Sequence, residues 1–422
     1  MEKFLIKGSS SKGVKGLINC SGAKNAVLPL MASSILFDNT VTLTNVPLGA
    51  NDVQTMIILL KSLGSKVQII KKRKVLKITN HKKHKLLVKY KYISTMRAGV
   101  LAMGALLGKY NKCSTALSGG CSLGPRPIGY HLAGFKKLNC KYSLNKGYIN
   151  IIAPFGIKGG YFRFPKVSVT GTSNLILASV LASGTTTLKN ISIEPEVLDL
   201  IKFLKNGGAR IYNTGKRSIK IYGVKKLNGH KHEVIGDRIE AFSYLCAAAI
   251  TKGKIRIKKI KPKYLSTELK VLKKIGCNVK IDKSSIELNR KNKLKPTNLK
   301  TSPFPGFATD CMPMLMAVLT KADGNSKIEE TIFTNRYMAA PELVRMGAKI
   351  NIKRSEAFII GQNNLNGADC ISSDLRSTFA IILGAMAANG ESCINRVYHG
   401  LRGYSNLYNN LKKIGVNIKK KY

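Results

Sequence analysis

LKKIGCNVKIDKSSIELNR, Leu272 to Arg290, holds the pattern that decides the fold. An apolar and lysine-bearing run stops at Gly276. Apolar and polar residues then alternate through Val279 and Ile281, pause at Asp282–Ser284, and resume at Ile286 and Leu288. A helix closed by a left-handed residue fits the first part, because glycine there has no Cβ to clash and asparagine tolerates it next best. Two period-2 strands joined by a turn fit the second. The pattern recurs in LKSLGSKVQI, FKKLNCKYSL, LKNGGARIYN, LVRMGAKINI and LKKIGVNIKK. Its helix-ending position falls at Gly64, Asn139, Gly208, Gly276, Gly347 and Gly415, at intervals of 75, 69, 68, 71 and 68 residues. Six copies at a near-constant period predict a six-repeat architecture.

The last copy ends at VNIKKKY with its second strand missing, and Phe4-Leu-Ile-Lys-Gly8 reads as that strand. The first strand is therefore expected beside the last, with both termini in one domain. A chain of 422 residues also exceeds what one core supports. Three complete repeats would fill a middle domain, 22–231, which carries Cys121. A second domain would combine 1–21 with 232–422, so the chain is expected to cross near residues 21 and 231.

Between these segments lies a second sixfold pattern. NAVLPLMASSIL, RAGVLAMGALLG, NLILASVLASG, RIEAFSYLCAAAI, DCMPMLMAVLT and RSTFAIILGAMAA are apolar nearly all round, as helices inside a core should be. Polar residues stand at each N-terminal edge: Lys24 and Asn25, Arg97, Ser168 and Thr170, Asp237 and Arg238, Asp310, then Asp374 and Arg376. A single polar residue there is a cap. Lysine and arginine oppose the helix dipole, however, and make sense where an anion lies beyond the helix ends. The six helices are thus expected to face one anion-binding cleft.

Composition sets limits. The 44% hydrophobic content excludes a disordered chain. Nine scattered cysteines form no CxxC pair, and six histidines form no HExxH pattern, so neither a metal nor a disulfide framework is expected. Free thiols suit the cytoplasm. His81 and His84 stand in a lysine run and are expected to be solvated. The runs Val27–Phe37 and Ala98–Gly108 are about half the ~20 residues a bilayer span needs, so membrane insertion is not expected. The 71 basic against 21 acidic residues give a net charge of +50. That fits either a polyanion binder or lysine-rich solvated surfaces. The lysines spread along the whole chain without interleaved aromatics, which favours the second.

GAKNAVLPL, TMRAG, GGCSLGPRP, KVSV, EPE, GDRIEA, FATD, ETIFTNRYMAAPELVRMGA, SDLR and RVYHGLRGY follow one another across nearly the whole chain. Together they closely resemble the UDP-N-acetylglucosamine 1-carboxyvinyltransferase family of enolpyruvyl transferases. The resemblance implies a two-domain inside-out α/β barrel, or prism, built from six βαβαββ-like repeats with three per domain. It implies closure over phosphoenolpyruvate and UDP-N-acetylglucosamine, release of phosphate, and no cofactor. By the same resemblance Cys121 is the general acid on a mobile lid, the site of a phosphoenolpyruvate adduct and of covalent addition by fosfomycin. Lys24, Arg97, Arg126 and Arg402 would hold the phosphate, and Arg336 and Arg376 the carboxylate. Arginine suits both groups because its planar fork binds oxygen pairs. Asp310 would contact the attacking hydroxyl, and Asp374 would help hold the transition state. Lys24, Arg402, Asp310 and Asp374 therefore count as catalytic beside Cys121.

The sugar nucleotide would meet Asn25, Arg97, Arg126, Pro127, Ile128, Gly129, Tyr130, His131, Lys166, Ser168, Val169, Thr170, Asp310 and Ile332. Glu194 and Arg238 rank second. Two positions depart from the family pattern: Gly129 stands where RPxDxH has aspartate, and Thr170 where the residue after KVSV is glycine. Both lie on the nucleotide side. The alternatives are a shikimate-pathway enolpyruvyl transferase, whose loop lacks the GGC context, and a basic nucleic-acid-binding relative without catalysis.

Overall fold

The computed structural model describes residues 2–8, 13–80, 84–116, 128–361 and 364–422. All six expected helix-ending residues have positive φ: Gly64 at 115°, Asn139 at 66°, Gly208 at 105°, Gly276 at 96°, Gly347 at 93° and Gly415 at 89°. Each begins a strand pair of the predicted kind. After Gly276, Asn278–Ile281 pairs antiparallel with Ser285–Asn289, which pairs in turn with Lys254–Lys258. Lys15–Asn19 joins the far edge in parallel. Among the described residues there are six four-stranded sheets, and all share this order of one parallel pair followed by two antiparallel ones.

The first strand, Lys3–Lys7, lies between Glu391–Asn395 and Asn417–Lys421, with Lys3 opposite Lys421. It supplies the strand that the sixth repeat lacks. The chain divides into two compact units, one formed by the stretch before Gly22 together with Gly236–Tyr422 and the other by the stretch between. The second crossing thus lies at Ile235–Gly236 rather than near 231. Lys231–Glu233 pairs in parallel with Val41–Thr44, and that pairing keeps it in the middle unit.

Each unit has its own core. The helices Lys24–Ser33, Leu101–Tyr110 and Val169–Ser179 serve one, and Arg238–Ile250, Met312–Leu319 and Leu375–Ala387 serve the other. Every residue of Arg238–Ile250 and of Met312–Leu319 is buried. A helix covered on all sides needs no polar face, which explains the unbroken apolar runs. Gly104 marks how close two of these helices come: a Cβ there would lie 2.4 Å from Asn174 Oδ1.

The sheets cover the helices with one face and meet water with the other. Lys254, Arg256 and Lys258 point out while Ile255 and Ile257 point in. Much of the basic charge sits at such outward strand positions. His84 departs from expectation: it is buried, its ring meeting Tyr110 Oη at 2.7 Å and Ser65 Oγ at 3.0 Å. Burial, then the charge of Lys109, lowers its pKa. His81 lies outside the described residues. Among those described, no helix is long and apolar enough to cross a membrane.

Candidate active site

Asp310 organises the charged cluster of the unit that contains Gly236–Tyr422. It sits in the 3-10 turn Thr309–Cys311 that leads into Met312–Leu319. Arg336 Nη2 donates to its Oδ1 at 2.6 Å. Arg376 donates to Oδ2 from Nε at 3.2 Å and from Nη2 at 3.0 Å. Both arginines are almost fully buried, whereas the aspartate side chain is 27% exposed. Burial opposes the charge of Arg376, but Asp310 outweighs it and holds that guanidinium above arginine's ordinary pKa. The carboxylate thus keeps an open side while fixing two cations in place.

Arg376 reaches this position from the first turn of its helix, whose cap is Asp374. The backbone N–H groups of Arg376 and Ser377 donate to Asp374 Oδ1 at 2.8 and 3.1 Å, and the Ser377 hydroxyl donates to Oδ2. Asp374 therefore fixes the start of the helix that carries Arg376. Asp237 does the same for Arg238–Ile250, accepting from Ile239 and Glu240. Arg238 is buried, with Cζ 5.8 Å from the Phe304 ring centroid. Arg402 follows the short helix Tyr398–Leu401 and helps lower the pKa of His399, after burial as the larger cause. Ile332 is partly exposed, beyond the strand Asn325–Glu329.

The middle unit is organised differently. Lys24, the first residue of its helix, donates to Asp52 Oδ2 at 3.1 Å, and Asn25 beside it is exposed. Asp52 belongs to the first turn of Asn51–Leu63, where a carboxylate also suits the helix dipole. Arg97 opens the turn that precedes Leu101–Tyr110.

His131 lies in the helix Gly129–Lys137 and is 2% exposed. Asn174 donates from Nδ2 to His131 Nδ1 at 2.8 Å and to the Val100 carbonyl at 3.0 Å, while its Oδ1 accepts the Gly104 N–H at 2.9 Å. An accepting Nδ1 leaves the ring proton on Nε2, which faces Thr170 Oγ1 at 3.4 Å. Burial and then the charge of Arg97 push the His131 pKa down to about 4, so the ring is neutral at pH 7. Thr170, the unexpected residue after KVSV, is the partner of this neutral ring.

Ser168 caps Val169–Ser179 through the Gly171 N–H at 3.2 Å. Lys166 and Val169 are exposed, Ile128 is buried, and Tyr130 is half-buried. A Cβ at Gly129 would meet nothing within 4 Å. Glu194 is buried and accepts from the Ser192 hydroxyl. Cys121, Arg126 and Pro127 lie outside the described residues. Among the described residues no group of His, Cys, Asp and Glu is arranged to hold a metal.

Within their units, the structure joins Asp310 to Arg336 and Arg376, and His131 to Thr170. Sequence reasoning missed the side chains that hold Lys24 and His131, namely Asp52 and Asn174. Asn174 did leave a signal, as an amide in the otherwise apolar run NLILASVLASG.

Residues 9–411 match the family of EPSP synthase (3-phosphoshikimate 1-carboxyvinyltransferase). The chain belongs to that family. A family relative from Pelagibacter ubique (strain HTCC1062), named UDP-N-acetylglucosamine 1-carboxyvinyltransferase, is 45% identical over 420 residues and covers 100% of both chains. One of the same name from Endomicrobium trichonymphae is 41% identical over 99% of each. Among solved structures, the enolpyruvyl transferase NikO from Streptomyces tendae superposes with a TM-score of 0.89 at 19% identity, covering 100% of this chain and 99% of that one. EPSP synthase from Acinetobacter baumannii gives 0.77 at 18% identity over 100% of both. At such identities these two structures establish the family's two-domain α/β fold alone.

Proposed function

We propose that this protein transfers the enolpyruvyl group of phosphoenolpyruvate to the 3′-hydroxyl of UDP-N-acetylglucosamine, the first committed step of peptidoglycan precursor synthesis. The observation that carries this reading is the 45% identity, from end to end, with a relative of that name. The chemistry is addition followed by elimination. The sugar oxygen bonds to C2 of phosphoenolpyruvate as C3 gains a proton and the hydroxyl loses one. C3 then gives up a proton, the C2–O bond to phosphate breaks, and inorganic phosphate leaves.

We assign the proton delivered to C3 to Cys121. Asp310 orients the attacking hydroxyl with a carboxylate that is 27% exposed and fixed in place by the two arginines. Held at this fixed position, it contributes by placing the hydroxyl. Arg336 and Arg376 turn their remaining donors to the substrate carboxylate, and Asp374 acts by fixing the helix start that presents Arg376. Lys24, with Arg97, Arg126 and Arg402, receives the phosphate, and Asp52 positions the Lys24 ammonium. The nucleotide meets Asn25, residues 126–131 and 166–170, and Ile332. The eight described cysteines are free, which supports a reducing, cytoplasmic setting.

The test is phosphate release with UDP-N-acetylglucosamine and phosphoenolpyruvate, run beside shikimate 3-phosphate as the alternative acceptor. Release with the sugar nucleotide alone is expected. Folded protein that releases phosphate only with shikimate 3-phosphate, or with neither acceptor, refutes the reading.

A further inference from the structure

Glu330 is 4% exposed, and among the described residues no basic side chain pairs with it. A buried carboxylate without a cation is costly unless donors converge on it, and three do so here. The backbone N–H groups of Ile332 and Phe333 donate to Oε1 at 2.7 and 3.1 Å, and the Thr309 hydroxyl donates to Oε2 at 2.9 Å. Its own N–H donates to the Ser355 carbonyl at 2.8 Å, which fixes the backbone from which the side chain reaches out.

What these bonds join is informative. Thr309 immediately precedes Asp310, and its carbonyl accepts Arg336 Nε at 3.0 Å while Arg336 Nη2 holds Asp310. The turn that begins at Ile332 leads to Arg336 itself. Glu330 therefore closes a ring: one oxygen grips the segment that carries Asp310, and the other grips the turn that carries Ile332. A second buried carboxylate, Glu268, takes the Ala308 N–H at 2.9 Å and steadies the same segment from the opposite end.

We propose that Glu330 is a positioning residue that sets Asp310 and Ile332 in a common register, and so governs affinity for the sugar nucleotide rather than for phosphoenolpyruvate. This rests on the assignment of Asp310 and Ile332 to the sugar nucleotide made above. Fixed geometry at both contacts removes the freedom that binding would otherwise have to freeze. Phosphoenolpyruvate is held in addition by Arg376, which the Asp374 cap presents from a helix start outside this ring, so it feels the change less.

Glu330→Ala and Glu330→Gln separate this from a purely structural role. Glutamine keeps an oxygen for the two N–H groups, and the Thr309 hydroxyl can turn to accept from its amide. Loss of the converging bonds in Glu330→Ala should raise the KM for UDP-N-acetylglucosamine about tenfold, with the KM for phosphoenolpyruvate and kcat changed less than about threefold. Glu330→Gln should recover most of that loss. Equal rises in both KM values, a fall in kcat alone, or no change in Glu330→Ala each overturn the inference, as does failure of glutamine to rescue. Wild-type protein assayed in parallel distinguishes the two levels. An active wild type with unmoved variants sinks only the role of Glu330, whereas an inactive wild type sinks the functional reading and this inference with it.

Discussion

The two units share one repeat plan but build different polar networks around their buried helices. In the unit with Gly236–Tyr422, a carboxylate clamps two buried guanidinium groups. In the middle unit, a histidine kept neutral by burial and by the charge of Arg97 bonds to an asparagine and faces a threonine. The repeat dictates where a helix begins and says nothing about the charge placed there. The scaffold therefore fixes positions while each unit chooses its own chemistry.

Breaking the clamp should have the largest effect. Asp310→Ala leaves Arg336 and Arg376 buried without their counter-charge, which should cost about 3 kcal/mol of stability in urea denaturation, and turnover should fall at least ~100-fold. A variant as stable and active as wild type would remove the contrast between the units.

Next comes a difference in pH response. Glu240 is buried at the first crossing, where its Oε2 accepts the Ser21 N–H at 2.7 Å. Burial, then the neighbouring Asp237, lifts its pKa from 4.5 to about 7. The folded state therefore holds this proton more tightly than the unfolded state. The contribution is fully present below pH 4.5 and lost as pH rises through about 7. His131 runs the other way: its folded pKa of about 4 lies below the ordinary 6.5, so its contribution is present above pH 6.5 and fades toward pH 4. Glu240→Gln isolates the first effect. Relative to this variant, wild type should lose on the order of 3 kcal/mol between pH 4.5 and 8, followed by melting temperature across that range. A difference that stays flat with pH would show that Glu240 does not titrate there.

The neutral network should respond less. Asn174→Ala strands the Gly104 N–H, the Val100 carbonyl and His131 Nδ1, at about 2 kcal/mol in the same denaturation assay. Thr170→Val removes only the long contact to Nε2 and should cost about 1 kcal/mol or less. If Thr170→Val proves the costlier change, the order of importance within the network is reversed.

What the sequence disclosed follows from the range over which each signal acts. The six left-handed residues, the strand pairs behind them and the partner of Lys3–Lys7 were legible because backbone sterics and alternation are local and repeat six times. Candidate site residues were named from motifs, but their supports were not. Lys24 and Asp52 are brought together by packing that no local pattern encodes. Glu330 and Glu240 look like ordinary surface acids until burial is known. His84 misled for the same reason, since its lysine-rich neighbours suggested solvent where Tyr110 and Ser65 enclose it. The second crossing moved to Ile235–Gly236 because a three-residue strand, Lys231–Glu233, is too short to announce its partner.

The pairing of Lys3 with Lys421 has a consequence for the order in which the protein can be completed. The middle unit is continuous in sequence, so it can finish folding on the ribosome while later residues are still being added. The other unit must keep Lys3–Lys7 waiting until Asn417–Lys421 emerges, a costly long-range closure. Because Lys3 and Lys421 lie side by side, a short linker could join these strands and new termini could be opened at the crossing Ile235–Gly236. In such a permutant the unit with Gly236–Tyr422 would be synthesised without interruption, and any slow step that waiting imposes on maturation should disappear.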